Sequence, residues 1–291
     1  MHKKITVYGA TGMIGQPVTR ELIKAGFEVT ALVREVARAR AIFPEGVTLV
    51  QGDLDDKASI AEAMKTADGI YINISTRPDD KEHAFNPERQ GLDNILDAAK
   101  ALNIKQVAYL SSFLARNYRG DWWVMRAKQS SIERVKKSGL PYTIFYPSNF
   151  MENFAGGMVR NGKITIPKIS EANKAWWIAG SDFGKQVARA FQIDSALNRE
   201  FPVQGPEGMT MPEAAQAFAR HYTGTKLAVG TMPFGLMKIL GWVVPQMKFL
   251  SKLMGVMLRN TETFESQATW DTLGAPELTI RTFAQQARLN L

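Results

Sequence analysis

Gly9-Ala10-Thr11-Gly12-Met13-Ile14-Gly15 follows the apolar run Ile5-Thr6-Val7-Tyr8 and opens a segment in which Ile14, Val18 and Leu22 recur four apart. Strand, glycine-rich turn and amphipathic helix, in that order, begin a strand–helix–strand unit. Glycines at this junction meet three needs: a tight turn, close approach of the backbone to a pyrophosphate, and close packing of helix on strand. The helix start adds N–H donors and the positive end of its dipole, which favour an anion. The stretch predicts that Gly9, Thr11, Gly12, Met13, Ile14 and Gly15 cradle the phosphates of a dinucleotide.

Outward from this turn the same rhythm repeats. Apolar, β-rich runs at 28–33, 47–50, 69–74, 107–110 and 142–146 alternate with stretches of helical spacing. Between the fourth and fifth strands, Leu92, Ile95, Leu96 and Ala99 follow the i, i+3, i+4, i+7 pattern. This alternation predicts an α/β protein whose doubly wound parallel sheet is covered by helices on both faces, a Rossmann fold. After Pro147 the pattern changes to loops rich in Gly and Asn at 155–157 and 161–163, then a helix from about Asp182 and a short strand, Phe201-Pro202-Val203, that rejoins the sheet. From Gly205 on, the reading is a smaller, mostly helical lobe, with Thr210 suited to cap a helix and Pro212 to its first turn. The expected domains are residues 1–150 with 178–205 for the nucleotide and residues 151–177 with 206–291 for the substrate.

Composition narrows the function. The 291 residues are 45% hydrophobic and 22% charged, as in an ordinary globular protein. Without cysteine there is no disulfide framework, thiolate metal site or cysteine nucleophile, and the expected compartment is the cytoplasm. The N-terminal run reaches its glycine turn too soon to hold the apolar core of a secretory signal. The longest apolar region, 227–258, is broken by Lys238, Lys248, Lys252, Pro233 and Pro245, so no transmembrane segment is expected. The net charge of +8 is dispersed and lacks an aromatic-basic pattern, which argues against a nucleic-acid partner. His2, His83 and His221 lie far apart, without metal-ligand spacing, so no metal is expected. Neither a Gly-x-Ser-x-Gly elbow nor a Gly-Lys-Ser/Thr phosphate loop occurs, which sets hydrolase and nucleotidase readings aside.

Residues after each strand carry the finer readings. The second run ends in Leu32-Val33-Arg34, where an acidic residue would accept from the ribose hydroxyls of NAD. A guanidinium there favours the 2′-phosphate of NADP, with Arg38 one turn later adding to it, unless both are solvated surface cations. NADP is the expected cofactor, NADPH being preferred over NADH. Asp53, followed by Leu54, stands where a carboxylate can accept from the adenine amino group, while Asp55 and Asp56 suit the cap of a helix beginning near Lys57. Ile74, Ser75 and Thr76 close the fourth run and are expected to border the cofactor. Ser111 and Ser112 end the fifth at the carboxyl edge; each either bonds a ligand carbonyl or amide, or terminates the strand on backbone.

The glycine loop at 9–15, Val33-Arg34, Gly52-Asp53-Leu54, Tyr109-Leu110-Ser111-Ser112, Lys128 with Glu133, and the stretches 138–143 and 147–154 together resemble the NmrA-like atypical short-chain dehydrogenase/reductase family, through about Arg220. The resemblance implies an NADP-binding Rossmann domain with a small substrate lobe. Asn149, Phe150 and Asn153 follow the sixth run at the same carboxyl edge, and the resemblance implies that Pro147 lies near the nicotinamide. Better-known short-chain dehydrogenases use Tyr-x-x-x-Lys, but Val124 stands four residues before Lys128 here. Related reductases in the resembling family rely on the lysine without that tyrosine, which makes Lys128 and Ser112 the catalytic candidates. Unless Lys128 is an unpaired surface amine, it holds the ribose or polarises the acceptor. The function implied is an NADPH-dependent oxidoreductase that passes hydride to a quinone-like or other conjugated, apolar or aromatic acceptor, as a monomer or homodimer. The alternative is a redox-sensing regulator that binds NADP(H) without turnover and acts through a partner protein. The Met-rich stretch 232–258 reads as a core helix or subunit contact, as an apolar wall for a flat substrate, or as a basic amphipathic membrane contact through Lys248, Lys252 and Arg259.

Overall fold

Six strands appear where the apolar runs place them: β1 (Lys4–Tyr8), β2 (Glu28–Val33), β3 (Val47–Gln51), β4 (Gly69–Ile72), β5 (Gln106–Leu110) and β6 (Tyr142–Pro147). Then come β7 (Val159–Arg160), β8 (Lys163–Lys168), β9 (Lys174–Trp176), β10 (Arg199–Val203), β11 (Gly208–Thr210) and β12 (Ala228–Pro233). The computed structural model describes residues 3–43, 45–156, 158–168 and 173–289; His2 and Gly157, singled out above, lie outside them.

β10, β6, β5, β4, β1, β2 and β3 form one seven-stranded sheet in that order, every neighbouring pair parallel. A parallel sheet with helices on both faces buries both sides of its central strands, and every residue of β4 and β5 is buried. Chain order reverses between β1 and β4, and the crevice at their carboxyl ends is where open α/β sheets bind ligands.

Eight helices accompany this part of the chain: α1 (Gly15–Lys24), α2 (Val36–Ile42), α3 (Lys57–Met64), α4 (Leu92–Ala101), α5 (Phe113–Arg116), α6 (Trp123–Lys137), α7 (Glu152–Gly156) and α8 (Gly180–Gln192). Val18 and Leu22 of α1 share one apolar core with Phe183, Val187 and Phe191 of α8. The two helices meet closely because Gly184 has no side chain; a Cβ there would lie 3.1 Å from the Val18 Cα. Ile60 of α3, Leu92, Ile95 and Leu96 of α4 and Ile132 of α6 belong to a separate core. Asp56 caps α3, accepting from the Ala58 and Ser59 N–H groups at 3.0 and 3.3 Å.

The chain outside the large sheet departs from the sequence reading. Residues 161–163, expected as loop, are the turn and start of a hairpin: Asn161 and Gly162 have φ of +49° and +69°, joining β7 to antiparallel β8. Two residues of positive φ suit the right-handed twist of a two-residue hairpin. The chain after Gly205 is mostly helical, as expected, but it also holds two short strands: β12 pairs in parallel with β8, and β11 pairs with β9. Among the described residues five more helices follow: α9 (Met211–His221), α10 (Phe234–Leu240), α11 (Pro245–Arg259), α12 (Gln267–Leu273) and α13 (Ile280–Gln286). Thr210 caps α9 as expected, in a reciprocal box with Glu213. Phe154, Trp177 and Phe218 stack at the centre of a third core, with ring centroids 4.7 and 5.5 Å apart. α12 is instead fastened to the edge strand β10, Ser266 and Thr269 hydroxyls donating to the Pro202 carbonyl at 2.9 and 2.7 Å. Among the described residues, no helix is long and apolar enough to cross a membrane, and no group of side chains could hold a metal ion.

Candidate functional site

A cleft of about 380 Å³ opens at the carboxyl ends of β1, β2 and β4. Its lining brings together ten residues that the sequence reading assigns to the cofactor: Gly9, Thr11, Gly12, Met13, Ile14, Arg34, Asp53, Leu54, Ile74 and Ser75. The glycines are needed on steric grounds. Gly9 has φ +90°, and a Cβ there would fall 1.9 Å from the Asn73 carbonyl oxygen; one on Gly15 would fall 2.0 Å from that of Gly9. The Gly12 N–H closes the turn by donating to the Gly9 carbonyl at 3.1 Å. Ile14 stands at the cap of α1 and offers no side-chain acceptor, so the helix start keeps donors for an anion.

Arg34 is exposed at the end of β2, on the cleft wall, whereas Arg38 is exposed on α2 and outside the lining. One Asp53 oxygen accepts from the Leu54 N–H at 2.7 Å. Asp53 is on the wall, and of the two cap candidates, Asp55 and Asp56, it is Asp56 that caps α3.

A smaller cavity of about 60 Å³ lies at the ends of β5 and β6 and includes Ser112, Pro147 and Asn149 in its wall. Ser112 ends its strand on backbone, its hydroxyl accepting from the Leu114 N–H at 3.3 Å to cap α5. The Ser111 hydroxyl is buried and has no partner among the described residues. Glu262 lines the same cavity; its oxygens accept from the Ser148 hydroxyl at 2.9 Å and the Gln204 amide at 2.7 Å. Burial pushes its carboxyl above the ordinary range.

Lys128 lines neither cavity. Its ammonium is paired with a carboxylate oxygen of Glu88, whose side chain is fully buried, so the reading as an unpaired surface amine is excluded. The other Glu88 oxygen accepts from the Thr76 N–H at 3.0 Å and its hydroxyl at 2.7 Å. A π-helical turn, Pro87–Gly91, precedes α4 and delivers Glu88 to this place. Ser75 and Pro87, the chain neighbours of Thr76 and Glu88, are themselves on the cleft wall, so the pair sits directly behind it. Val124, where a tyrosine would stand, is buried in apolar surroundings.

Gly15, Arg38, Ser111 and Phe150 also line neither cavity. Phe150 is a core residue, its ring 5.6 Å from that of Phe183. Glu88, Glu262 and Glu152 were not singled out from sequence. Glu152 accepts from the Gly180 N–H at 2.8 Å through one oxygen, while the other is buried without a partner among the described residues. Burial pushes its carboxyl up to about 7.

The NmrA-like family model matches residues 1–271, and the chain belongs to that family. A photosystem II assembly factor of Cyanophora paradoxa is 27% identical over 238 residues, 81% of this chain and 73% of the relative. An NAD(P)H azoreductase of Xenophilus azovorans is 27% identical, covering 74% of this chain and 72% of that protein. The crystal structure of an NADPH-dependent quinone oxidoreductase of Escherichia coli, complexed with NADPH, superposes with a TM-score of 0.74 at 20% identity, covering 96% of this chain and 98% of that one. This likeness supports the Rossmann-type fold.

Proposed function

We propose that this protein is an NADPH-dependent oxidoreductase that passes hydride to a quinone-like or other conjugated small molecule. The observation that carries the proposal is the cleft at the β1–β4 reversal, where a backbone with no room for side chains at positions 9 and 15 meets Arg34 and Asp53. These residues fit a dinucleotide: the glycine turn takes the pyrophosphate, Arg34 the 2′-phosphate, with Arg38 adding charge, and Asp53 the adenine amino group. A bound nicotinamide supplies the hydride. Residues 1–150 with 178–205 hold the cofactor, and residues 151–177 with 206–291 shape the acceptor pocket beside Ser112, Pro147 and Asn149.

Lys128 has three donors, of which Glu88 takes one, leaving two for a ribose hydroxyl or the acceptor. Reduction of a quinone needs the ring held close to the nicotinamide in a dry pocket, and solvent can supply the protons, so the phenol replaced by Val124 is dispensable. The azoreductase and quinone-reductase relatives support this reading. Fluorescence titration with NADPH and NADH, followed by steady-state oxidation with quinones, imines and enones, tests it: tight NADPH binding with turnover of one acceptor class is expected. Cofactor binding without turnover of any acceptor refutes the enzyme.

That outcome leads to the second reading, a redox-sensing regulator, which the buried Val124 and the assembly-factor relatives favour. Such a sensor distinguishes NADPH from NADP and retains a partner protein. Equal affinity for both forms excludes it.

A further inference from the structure

The helical hairpin formed by α10 and α11 has an apex that the cofactor site does not use. Leu236, Ile239, Leu240, Trp242, Val243 and Val244 are all exposed there, Trp242 at 87% and Val243 at 85%. Single exposed apolar residues are normal on a protein surface, but a contiguous patch marks a contact.

Two further observations decide what it contacts. First, the turn at the apex closes on its own N–H groups. The Gly241, Trp242, Val243 and Val244 N–H groups donate to the Met237, Ile239, Leu240 and Leu240 carbonyls at 2.9, 3.1, 3.1 and 2.9 Å, and Pro245 has no N–H to satisfy. From Gly241 to Val244 such a turn carries no free N–H into an apolar medium, where each stranded donor is costly. Gly241 lets the hairpin close, since a Cβ there would lie 2.9 Å from the Lys248 Cα.

Second, the charge is one-sided. From Tyr222 to Thr261 the chain carries Lys226, Lys238, Lys248, Lys252 and Arg259 and no carboxylate. Lys238, Lys248, Lys252 and Arg259 are exposed, and their long stems let the ammonium groups rise beside a buried apolar tip. Among the described residues, the acids that border the grooves beneath the tip are Asp79, Asp80 and Asp121 from other segments, with Arg77 and Lys81 beside them.

From this apex we infer a monotopic contact with an anionic lipid surface, Trp242 and Val243 entering the headgroup region while Lys238, Lys248 and Lys252 meet lipid phosphates. Apolar insertion and cation attraction act together in such contacts. A second copy of the chain fits less well, because a two-fold interface would set the same unbalanced cations against one another. A spanning helix is ruled out by the fifteen-residue length of α11. The inference is independent of the redox reading, since binding is measured without cofactor or acceptor.

The test is cosedimentation of the full chain with phosphatidylcholine vesicles, with and without phosphatidylglycerol, together with quenching of tryptophan fluorescence by brominated lipid. Pelleting and quenching with anionic vesicles, and weak binding to neutral ones, are expected. Trp242→Ser with Val243→Ser should weaken partition by about tenfold or more, and exchanging Lys238, Lys248 and Lys252 for Gln should weaken it about a hundredfold, with unchanged melting curves. Absence of pelleting, equal binding to neutral and anionic vesicles, or full binding by both variants would overturn the contact. So would self-association in sedimentation velocity that the same substitutions abolish without any lipid binding.

Discussion

Glu88→Gln tests the least visible part of the site. The native carboxylate is fully buried and accepts three hydrogen bonds, two from Thr76 and one from Lys128. Glutamine keeps the shape and can still accept from Thr76, but it removes the negative charge and offers the lysine an NH₂ group. Lys128, whose side chain is 11% exposed, then holds an ammonium with no counter-charge. Breaking a buried pair from one side costs about 3–5 kcal/mol, against a total stability of about 5–15 kcal/mol. The same pair on the surface would be worth about 0–1 kcal/mol. Urea denaturation should therefore show a large fall in midpoint for Glu88→Gln, and most of it should return in Glu88→Gln/Lys128→Met, where no charge is left unpaired. A loss below about 1 kcal/mol, or a double variant as unstable as the two single losses added together, would refute the reasoning.

Arg34→Ala removes a charge-assisted contact of about 1.5–3 kcal/mol, so NADPH affinity should fall about ten- to a hundredfold in fluorescence titration while NADH affinity holds; equal weakening of both would make Arg34 a surface cation. Gly9→Ala places a Cβ 1.9 Å from the Asn73 carbonyl at φ +90°, so thermal melting should drop and cofactor binding be lost. Glu152 has a folded-state pKa raised from 4.5 to about 7, so its protonated form is favoured on folding; that stability is present in full below about pH 4.5 and is lost as pH rises toward 7. Glu152→Gln should consequently gain on the wild type by up to about 3 kcal/mol above neutrality and by little at low pH; a difference that does not change with pH counts against the shift.

The large sheet was legible because its signals are local. The run at 28–33 coincides with β2, and Leu92, Ile95, Leu96 and Ala99 are all buried on α4. Each element announces itself through side chains a few positions apart. The same holds for the glycine turn, whose strand and helix flank it directly. β7 and β8 were obscured although Asn161-Gly162 is a strong hairpin signal, because β7 is only two residues long. β12 contains Gly230 and ends in Pro233, residues with poor strand propensity, and its partner lies 65 positions earlier in register, Ala228 opposite Lys163. Glu88 and Glu262 meet Lys128 and Ser148 across 40 and 114 positions, so no periodicity marks them. Val124 could be read directly, since an absent phenol is a statement about a single position.

β10 completes the large sheet from a point beyond two excursions of the chain, and this orders events during synthesis. When residues up to Pro147 have left the ribosome, six strands are present, but β6 still has a bare edge and the face under α1 lacks Phe183, Val187 and Phe191 of α8. A nascent chain at that stage has its glycine turn written but lacks the α8 side chains that complete the core beneath it, and an exposed strand edge invites mispairing. Maturation of the cleft at the β1–β4 reversal is tied to the emergence of Val203, and a pause between these two points is where chaperone capture has the most to protect.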